Sequence, residues 1–252
     1  NFNSTLLPLT IRGAKKNLEK PEAEAIKVRS AILDGHPAEQ IVDFADEQGI
    51  DLIVIATHGW SGIRRWVMGS VADKVVRATK RPVALIRAKG VHHHVFEEGT
   101  MNKTLLPLDG SKESEAVIPY VEELASKLKG EVVLLHVVPP ASPVYAIPGE
   151  TAQLPYTQAE VELLKVDAES YLEKVTNALK DKHIKVRAEV RVGNTAHEIV
   201  KLADEVHADL VAMSTHGWSG ITRWALGSTA DKVLNGGNTP LLLVSSPGVG
   251  TK

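Results

Sequence analysis

Cysteine is absent from all 252 residues, which excludes disulfides, thiolate metal sites and cysteine nucleophiles. Aromatic residues are scarce at 4%. No apolar run approaches the ~18 residues of a membrane helix and no signal-peptide pattern opens the chain, so a cytoplasmic protein without a membrane partner is expected. Charge of either sign is not in excess: 29 Lys and Arg stand against 31 Asp and Glu, a formal net charge of −2. Such a chain has no global field to hold a polyanion, and nucleic acid is not an expected partner. Neither Gly-x-x-x-x-Gly-Lys-Ser/Thr nor Gly-x-Gly-x-x-Gly occurs, which removes the main support for a Walker-type ATPase or a dinucleotide enzyme. What remains, 43% apolar and 24% charged residues, is the composition of a globular protein with a core for one large or two small domains.

Internal repetition favours two. Thr57-His-Gly-Trp-Ser-Gly-Ile-Arg-Arg-Trp-Val-Met-Gly-Ser-Val-Ala-Asp-Lys-Val-Val76 recurs at 215–234 with fifteen of twenty positions identical, an offset of 158. The offset extends without a gap from Ile26/Ile184 to Pro82/Pro240. A second echo, Thr5-Leu-Leu-Pro-Leu-Thr10 against Thr104-Leu-Leu-Pro-Leu-Asp109, has an offset of 99, leaving 59 residues present in the second copy alone. The expected division is an incomplete N-terminal copy at 1–87, a linker at 88–101 and a complete C-terminal copy at 102–247.

The complete copy reads as strand 104–108, helix 114–129 stopped by Gly130, strand 132–138, a Pro-rich loop 139–155 and helix 157–180. Strand 184–190 follows, then a helix capped by Asn194 or Thr195, strand 210–213, a glycine loop, helix 228–234 and strand 241–244. The N-terminal copy reads strand 5–9, helix 14–20, strand 28–33, helix 37–48, strand 52–56, glycine loop, helix and strand 83–86. Its first helix and second strand have no counterpart. Loss of a central parallel strand leaves backbone groups unpaired, so rearrangement, another chain or an additional segment between Thr10 and Ile11 has to make it good. Strands alternating with helices imply right-handed crossovers and a parallel sheet covered on both faces. The strands at 83–86 and 241–244 end their copies as exposed edges, and pairing them across a pseudo-twofold axis is the economical solution.

The chemistry concentrates after the fourth strand: Met213-Ser-Thr-His-Gly217, nine residues, then Gly227-Ser228. Ligands of parallel α/β sheets collect at the carboxyl ends of strands, and a glycine loop closed at a helix start aims backbone N–H groups and a hydroxyl at a phosphate. The competing reading is that the glycines only make turns and Ser228 only caps its helix. Together with strand one ending Pro107-Leu108-Asp109-Gly-Ser and strand two reading Leu-Leu-His136-Val137-Val138, this pattern resembles the universal stress protein family over nearly all of 101–246 and most of 1–87.

The resemblance implies two flavodoxin-like (Rossmann-like) α/β domains with parallel sheets and strand order 3-2-1-4-5, dimerisation through edge strands and, in one subgroup, ATP binding. It implies that Asp109 meets the adenine, that Val137 lines the base pocket, and that Met213, Ser214, Gly217, Gly227, Ser228 and Thr229 form the phosphate loop, with Pro107, Leu108 and His216 beside them in the nucleotide-binding set. The ligand implied is ATP, with Mg²⁺ as a companion and AMP or ADP as variants. Ser214 and Ala56 stand where the family motif begins with glycine and bring a Cβ toward the nucleotide path. In the N-terminal copy Ala56, His58, Gly59, Gly69, Ser70 and Val71 keep the phosphate half of the pattern, but Thr10 replaces the adenine aspartate, so one nucleotide per chain is expected. The partners expected are an adenine nucleotide, the two copies docked on each other as a pseudo-dimer, and a homodimer.

The function this supports is a stress-response module that senses or is stabilised by ATP. Two alternatives stand beside it: a structural or interaction member of the same fold with closed pockets, and a slow ATPase assisted by His216. No catalytic or metal-binding residues are assigned. His58 and His216 lack the orienting partner that acid–base work needs. Arg64, Arg65 and Arg223 suit either a phosphate or a solvated helix face, and Trp60, Trp66, Trp218 and Trp224 suit packing of the loop. His92-His93-His94 reads as solvated linker.

Overall fold

The computed structural model describes residues 28–57, 68–86, 102–141, 156–215 and 226–245. The chain divides into two compact units, 1–36 and 37–252. In the first, residues 28–36 are exposed and form no strand, contrary to the strand expected at 28–33. The elements expected at 5–9 and 14–20 lie outside the described residues.

The second unit carries a seven-stranded sheet. The N-terminal copy contributes helix α1 (Pro37–Glu47), strand β1 (Ile53–Ala56), helix α2 (Ser70–Ala78) and strand β2 (Val83–Ile86). The C-terminal copy begins with β3 (Lys103–Pro107), the short helix α3 (Lys112–Glu115), α4 (Ile118–Leu128) and β4 (Glu131–Val138). It continues with α5 (Gln158–Lys180), β5 (Lys185–Val192), α6 (Thr195–Glu205), β6 (Leu210–Ser214), α7 (Ser228–Gly236) and β7 (Leu241–Val244).

The strand order is β1-β2-β7-β6-β3-β4-β5. Read within the C-terminal copy alone this is the expected 3-2-1-4-5 arrangement, with every pair parallel. The two copies join where expected: β2 pairs antiparallel with β7, Val83 opposite Leu243 and Leu85 opposite Leu241. Pairing these edges satisfies backbone groups that would otherwise template aggregation.

The apolar alternation of the strands sorts the core into two layers. Leu105, Val133, Leu135, Val211 and Leu243 face α1, α2, α6 and α7. Leu106, Val132, Leu134, Ala212 and Leu242 face α4 and α5. Both faces of β3, β4, β6 and β7 are therefore dry, which is why these strands read as continuous apolar runs rather than alternating ones.

Local departures have local causes. The single helix expected over 114–129 is two, with a turn at Ala116 and Val117, because Pro119 sits in the first turn of α4 and neither donates an N–H nor tolerates the carbonyl four residues back. The left-handed residue ending α4 is Lys129 (φ 54°), not Gly130, whose N–H reaches the Ala125 carbonyl at 3.1 Å. Thr157 and Glu160 form a reciprocal capping box on α5, and Asn194 rather than Thr195 caps α6 by accepting from the His197 N–H at 3.2 Å.

Candidate functional site

The crossovers of the C-terminal copy diverge between β3 and β6, which are neighbours. That junction is the topological switch point where an open α/β sheet leaves a crevice at its carboxyl ends. The register Thr104 with Leu210 and Leu105 with Val211, carried along the strands, sets Leu108 level with Ser214. Asp109 and Thr215, the residue after β6, thus flank the same crevice.

On the β3 side, Leu108 is buried and its N–H donates to the Leu135 carbonyl at 2.9 Å, fixing the strand end against β4. Asp109 then emerges exposed. Gly110 has φ +81°, a left-handed conformation costly to residues with a Cβ, and it turns the chain back so that Ser111 meets its neighbour. Asp109 Oδ1 accepts from the Ser111 N–H at 3.0 Å and the Ser111 hydroxyl at 2.5 Å. Ser111 Oγ in turn accepts from the Ser114 N–H at 3.1 Å as the cap of α3, and the Asp109 N–H donates to Ser114 Oγ at 3.3 Å. These bonds fix the orientation of the carboxylate.

On the β6 side, Met213 and Ser214 are buried within the strand, Ser214 opposite Val244. The Thr215 carbonyl accepts from the Gly227 N–H at 2.7 Å, closing the loop at its base. Gly227 is the cap residue of α7 and, lacking a side chain, makes no capping hydrogen bond of its own. Ser228 is the first helical residue and is exposed, so the reading in which it caps α7 fails. A helix start in this condition favours an anion.

Val137 packs half-buried at the end of β4. One residue earlier, His136 meets the Tyr171 ring edge-on at 6.1 Å between centroids. Its Nδ1 is buried with no hydrogen-bond partner among the described residues. Burial lowers the His136 pKa, and the Asp109 charge opposes that shift. Tyr171 donates to Glu115 Oε1 at 3.0 Å, and burial followed by this bond raises its phenol pKa. Among the described residues no group of three His, Asp or Glu side chains is placed to hold a metal ion. A charged groove of ≈ 550 Å³ lined by Lys103, Glu131, Arg187, Glu189, Glu205 and His207 starts from the amino ends of β3 and β4, opposite the crevice.

The model of the universal stress protein family matches residues 5–87 and 101–245. The chain belongs to the universal stress protein family. It is 32% identical over 150 residues to the universal stress protein MJ0531 of Methanocaldococcus jannaschii, covering 60% of this chain and 85% of that one. A universal stress protein of Mycolicibacterium smegmatis is 23% identical over 229 residues, 88% of this chain and 70% of its own. The crystal structure of a universal stress protein from Archaeoglobus fulgidus superposes with a TM-score of 0.59 at 19% identity, over 98% of this chain and 80% of that one, which shows the same fold.

Within this universal stress protein, Pro107, Leu108, Asp109, Val137, Met213, Ser214, Gly227, Ser228 and Thr229 all lie at carboxyl strand ends or on the first turn of α7. His216 and Gly217 lie outside the described residues, as do His58, Gly59, the four tryptophans, Arg64, Arg65, Arg223 and the three linker histidines. In the N-terminal copy Ala56 ends β1, Gly69 caps α2, and Ser70 and Val71 open it, so the strand end and helix start repeat those of the C-terminal copy. Sequence reasoning missed the Ser111 and Ser114 bonds that orient Asp109, and the His136–Tyr171–Glu115 contact. Asp-Gly-Ser followed three residues later by Ser was the available signal for the first. Nothing in the sequence joins residues 56 apart for the second. No helix among the described residues is long and apolar enough to cross a membrane.

Proposed function

We propose that the C-terminal copy binds an adenine nucleotide, ATP foremost, at the carboxyl ends of β3, β4 and β6, and that occupancy is the signal this stress protein carries. The observation that supports it best is the pairing of a pre-oriented Asp109 with the glycine-led start of α7 across one switch-point crevice. Asp109 accepts from the exocyclic amine of the base, Val137 packs against the ring, and the N–H groups of Ser228 and Thr229 with their hydroxyls face the phosphates. Mg²⁺ enters with the nucleotide as a charge on the phosphates.

One nucleotide binds per chain, because the N-terminal copy has Thr10 in place of Asp109 and no counterpart of β4. The two copies act as a pseudo-dimer joined through β2 and β7, in a cytoplasmic protein divided at 1–87 and 102–247. Homodimers then form through other faces. A second reading rests on Ser214: its Cβ stands where the family motif has glycine, and a strand end closed by it leaves an assembly role without nucleotide.

Thermal melting in the presence and absence of excess Mg-ATP separates the two readings. At a hundredfold excess over the dissociation constant a bound ligand adds ~2.7 kcal/mol of stability, so the melting temperature rises by several degrees. An unchanged melting temperature with ATP, ADP and AMP alike favours the assembly reading.

A further inference from the structure

The repeat gives each helix exit a matched control 158 residues away. Helix α2 leads out through Arg77-Ala78-Thr79, and α7 through Asn235-Gly236-Gly237 at the same three positions. The backbone exit is alike: the Thr79 N–H donates to the Val75 carbonyl at 3.0 Å, and the Gly237 N–H to the Val233 carbonyl at 2.9 Å. The side chains that pin it are not.

After α2 three ties hold the exit. Arg77 Nε meets Asp73 Oδ1 one turn back at 2.8 Å, the Arg81 N–H donates to Thr79 Oγ1 at 3.0 Å, and Arg81 Nε reaches Asp46 of α1 at 3.0 Å. After α7 the corresponding residues are Asn235, Gly237 and Thr239, facing Asp231 and Asp204 in place of Asp73 and Asp46. A carboxamide forms no ion pair with Asp231, glycine has no hydroxyl, and threonine has no charge for Asp204, so none of the three ties is repeated. The last turn of this nine-residue helix also contains Gly236, and glycine is a poor helix former. An untied, glycine-containing last turn is the part of a helix that opens most readily.

Asn235 and Gly236 are both exposed. When the turn opens, the Gly236 nitrogen, with no Cβ beside it to crowd the approach, attacks Asn235 Cγ. A bond forms between that nitrogen and Cγ, the bond from Cγ to the amide nitrogen breaks, and ammonia leaves with the proton of the Gly236 N–H. Water then opens the five-membered succinimide at either carbonyl. Opening at Cγ yields aspartate, and opening at the backbone carbonyl yields isoaspartate, with the chain now running through the side chain. While the turn is helical the Gly236 nitrogen sits in the ladder, held away from Cγ. At the matched place in α2, Arg77 offers no carboxamide to attack.

We propose that Asn235–Gly236 is a self-modifying site that deamidates without an enzyme, and that its product loosens α7, the helix whose first turn lies at the crevice. Aspartate at 235 adds a negative charge beside the last carbonyls of the helix, its negative end, and four residues after Asp231. Isoaspartate lengthens the backbone and ends the helix before Gly236. The proposal does not depend on nucleotide binding.

The test incubates the full chain in mildly alkaline buffer and follows each asparagine by peptide mass spectrometry. The mass gain from carboxamide to carboxyl is expected at Asn235 ahead of Asn194 and Asn238, in two products that separate chromatographically. Gly236→Ala is expected to remove the gain over the same period. That variant fits the fold, because an added Cβ lies 3.7 Å from Val200 Cγ2, an ordinary contact. Asn235→Asp, which carries one of the two products, is expected to melt below the parent chain. A gain at Asn235 no faster than at Asn194 and Asn238, or one that Gly236→Ala leaves unchanged, overturns the site. An Asn235→Asp chain that melts with the parent overturns the loosening of α7.

Discussion

The Gly69 N–H donates to the Thr57 carbonyl at 2.7 Å, and 158 residues later the Gly227 N–H donates to Thr215 at the same distance. Neighbouring bonds repeat too: Thr57 N–H to Ile86 and Thr215 N–H to Val244 both measure 2.9 Å, as do Asp73 to Gly69 and Asp231 to Gly227. Each glycine pinches strand end to helix start and so fixes where the helix points. Sequence identity over the loops is thus matched by identity of the frame that holds them.

Gly69→Ala tests the pinch. The backbone at Gly69 (φ −60°, ψ 147°) suits any residue, so only space matters, and an added Cβ lies 2.9 Å from the Thr57 carbonyl oxygen. Strand end or helix must move, at a cost of about 1–3 kcal/mol. Urea denaturation of the variant measures it, and a loss below about 0.5 kcal/mol contradicts the account.

His136 makes stability depend on pH. Burial holds its folded pKa below its ordinary value, so the unfolded chain takes up the proton first and stability falls as pH drops below about 6.5 toward the folded value. His136→Phe keeps the packing against Tyr171 and removes the proton site. Denaturation curves at pH 7.5 and 5.5 are expected to show a smaller loss on acidification in the variant; an equal loss in both refutes the assignment.

Tyr171→Phe deletes one hydrogen bond, to the half-buried Glu115, and leaves the ring in place. A destabilisation of about 1 kcal/mol is expected by denaturant titration. No change would mean that Glu115 is equally served by water.

Legibility followed the range of the cause. Strands at 83–86 and 241–244 were readable to the residue, because continuous apolar runs bounded by proline or by the end of a copy leave little choice. The edge pairing of β2 with β7 was readable because an unpaired apolar edge demands a partner. Residues 28–33 carry the same strand pattern as β5 and yet form none, since a strand is made by its neighbour and the neighbour's sequence is missing. The split of the helix at Val117 was present in Pro119 but outweighed by the apolar spacing around it. In the site, Asp109 and the Gly227–Ser228 turn were visible as motif; the orientation of Asp109 by Ser111 turns on the left-handed Gly110, which the Asp-Gly-Ser run hints at and the fold realises.

Nucleotide occupancy of the C-terminal copy is the central claim, and isothermal titration of the purified chain with Mg-ATP, after removal of any co-purified nucleotide, tests it most directly. The account predicts one site per chain, with binding lost in Asp109→Ala while the variant remains folded. Two equivalent sites, retention of affinity in Asp109→Ala, or no heat from a nucleotide-free chain would contradict it.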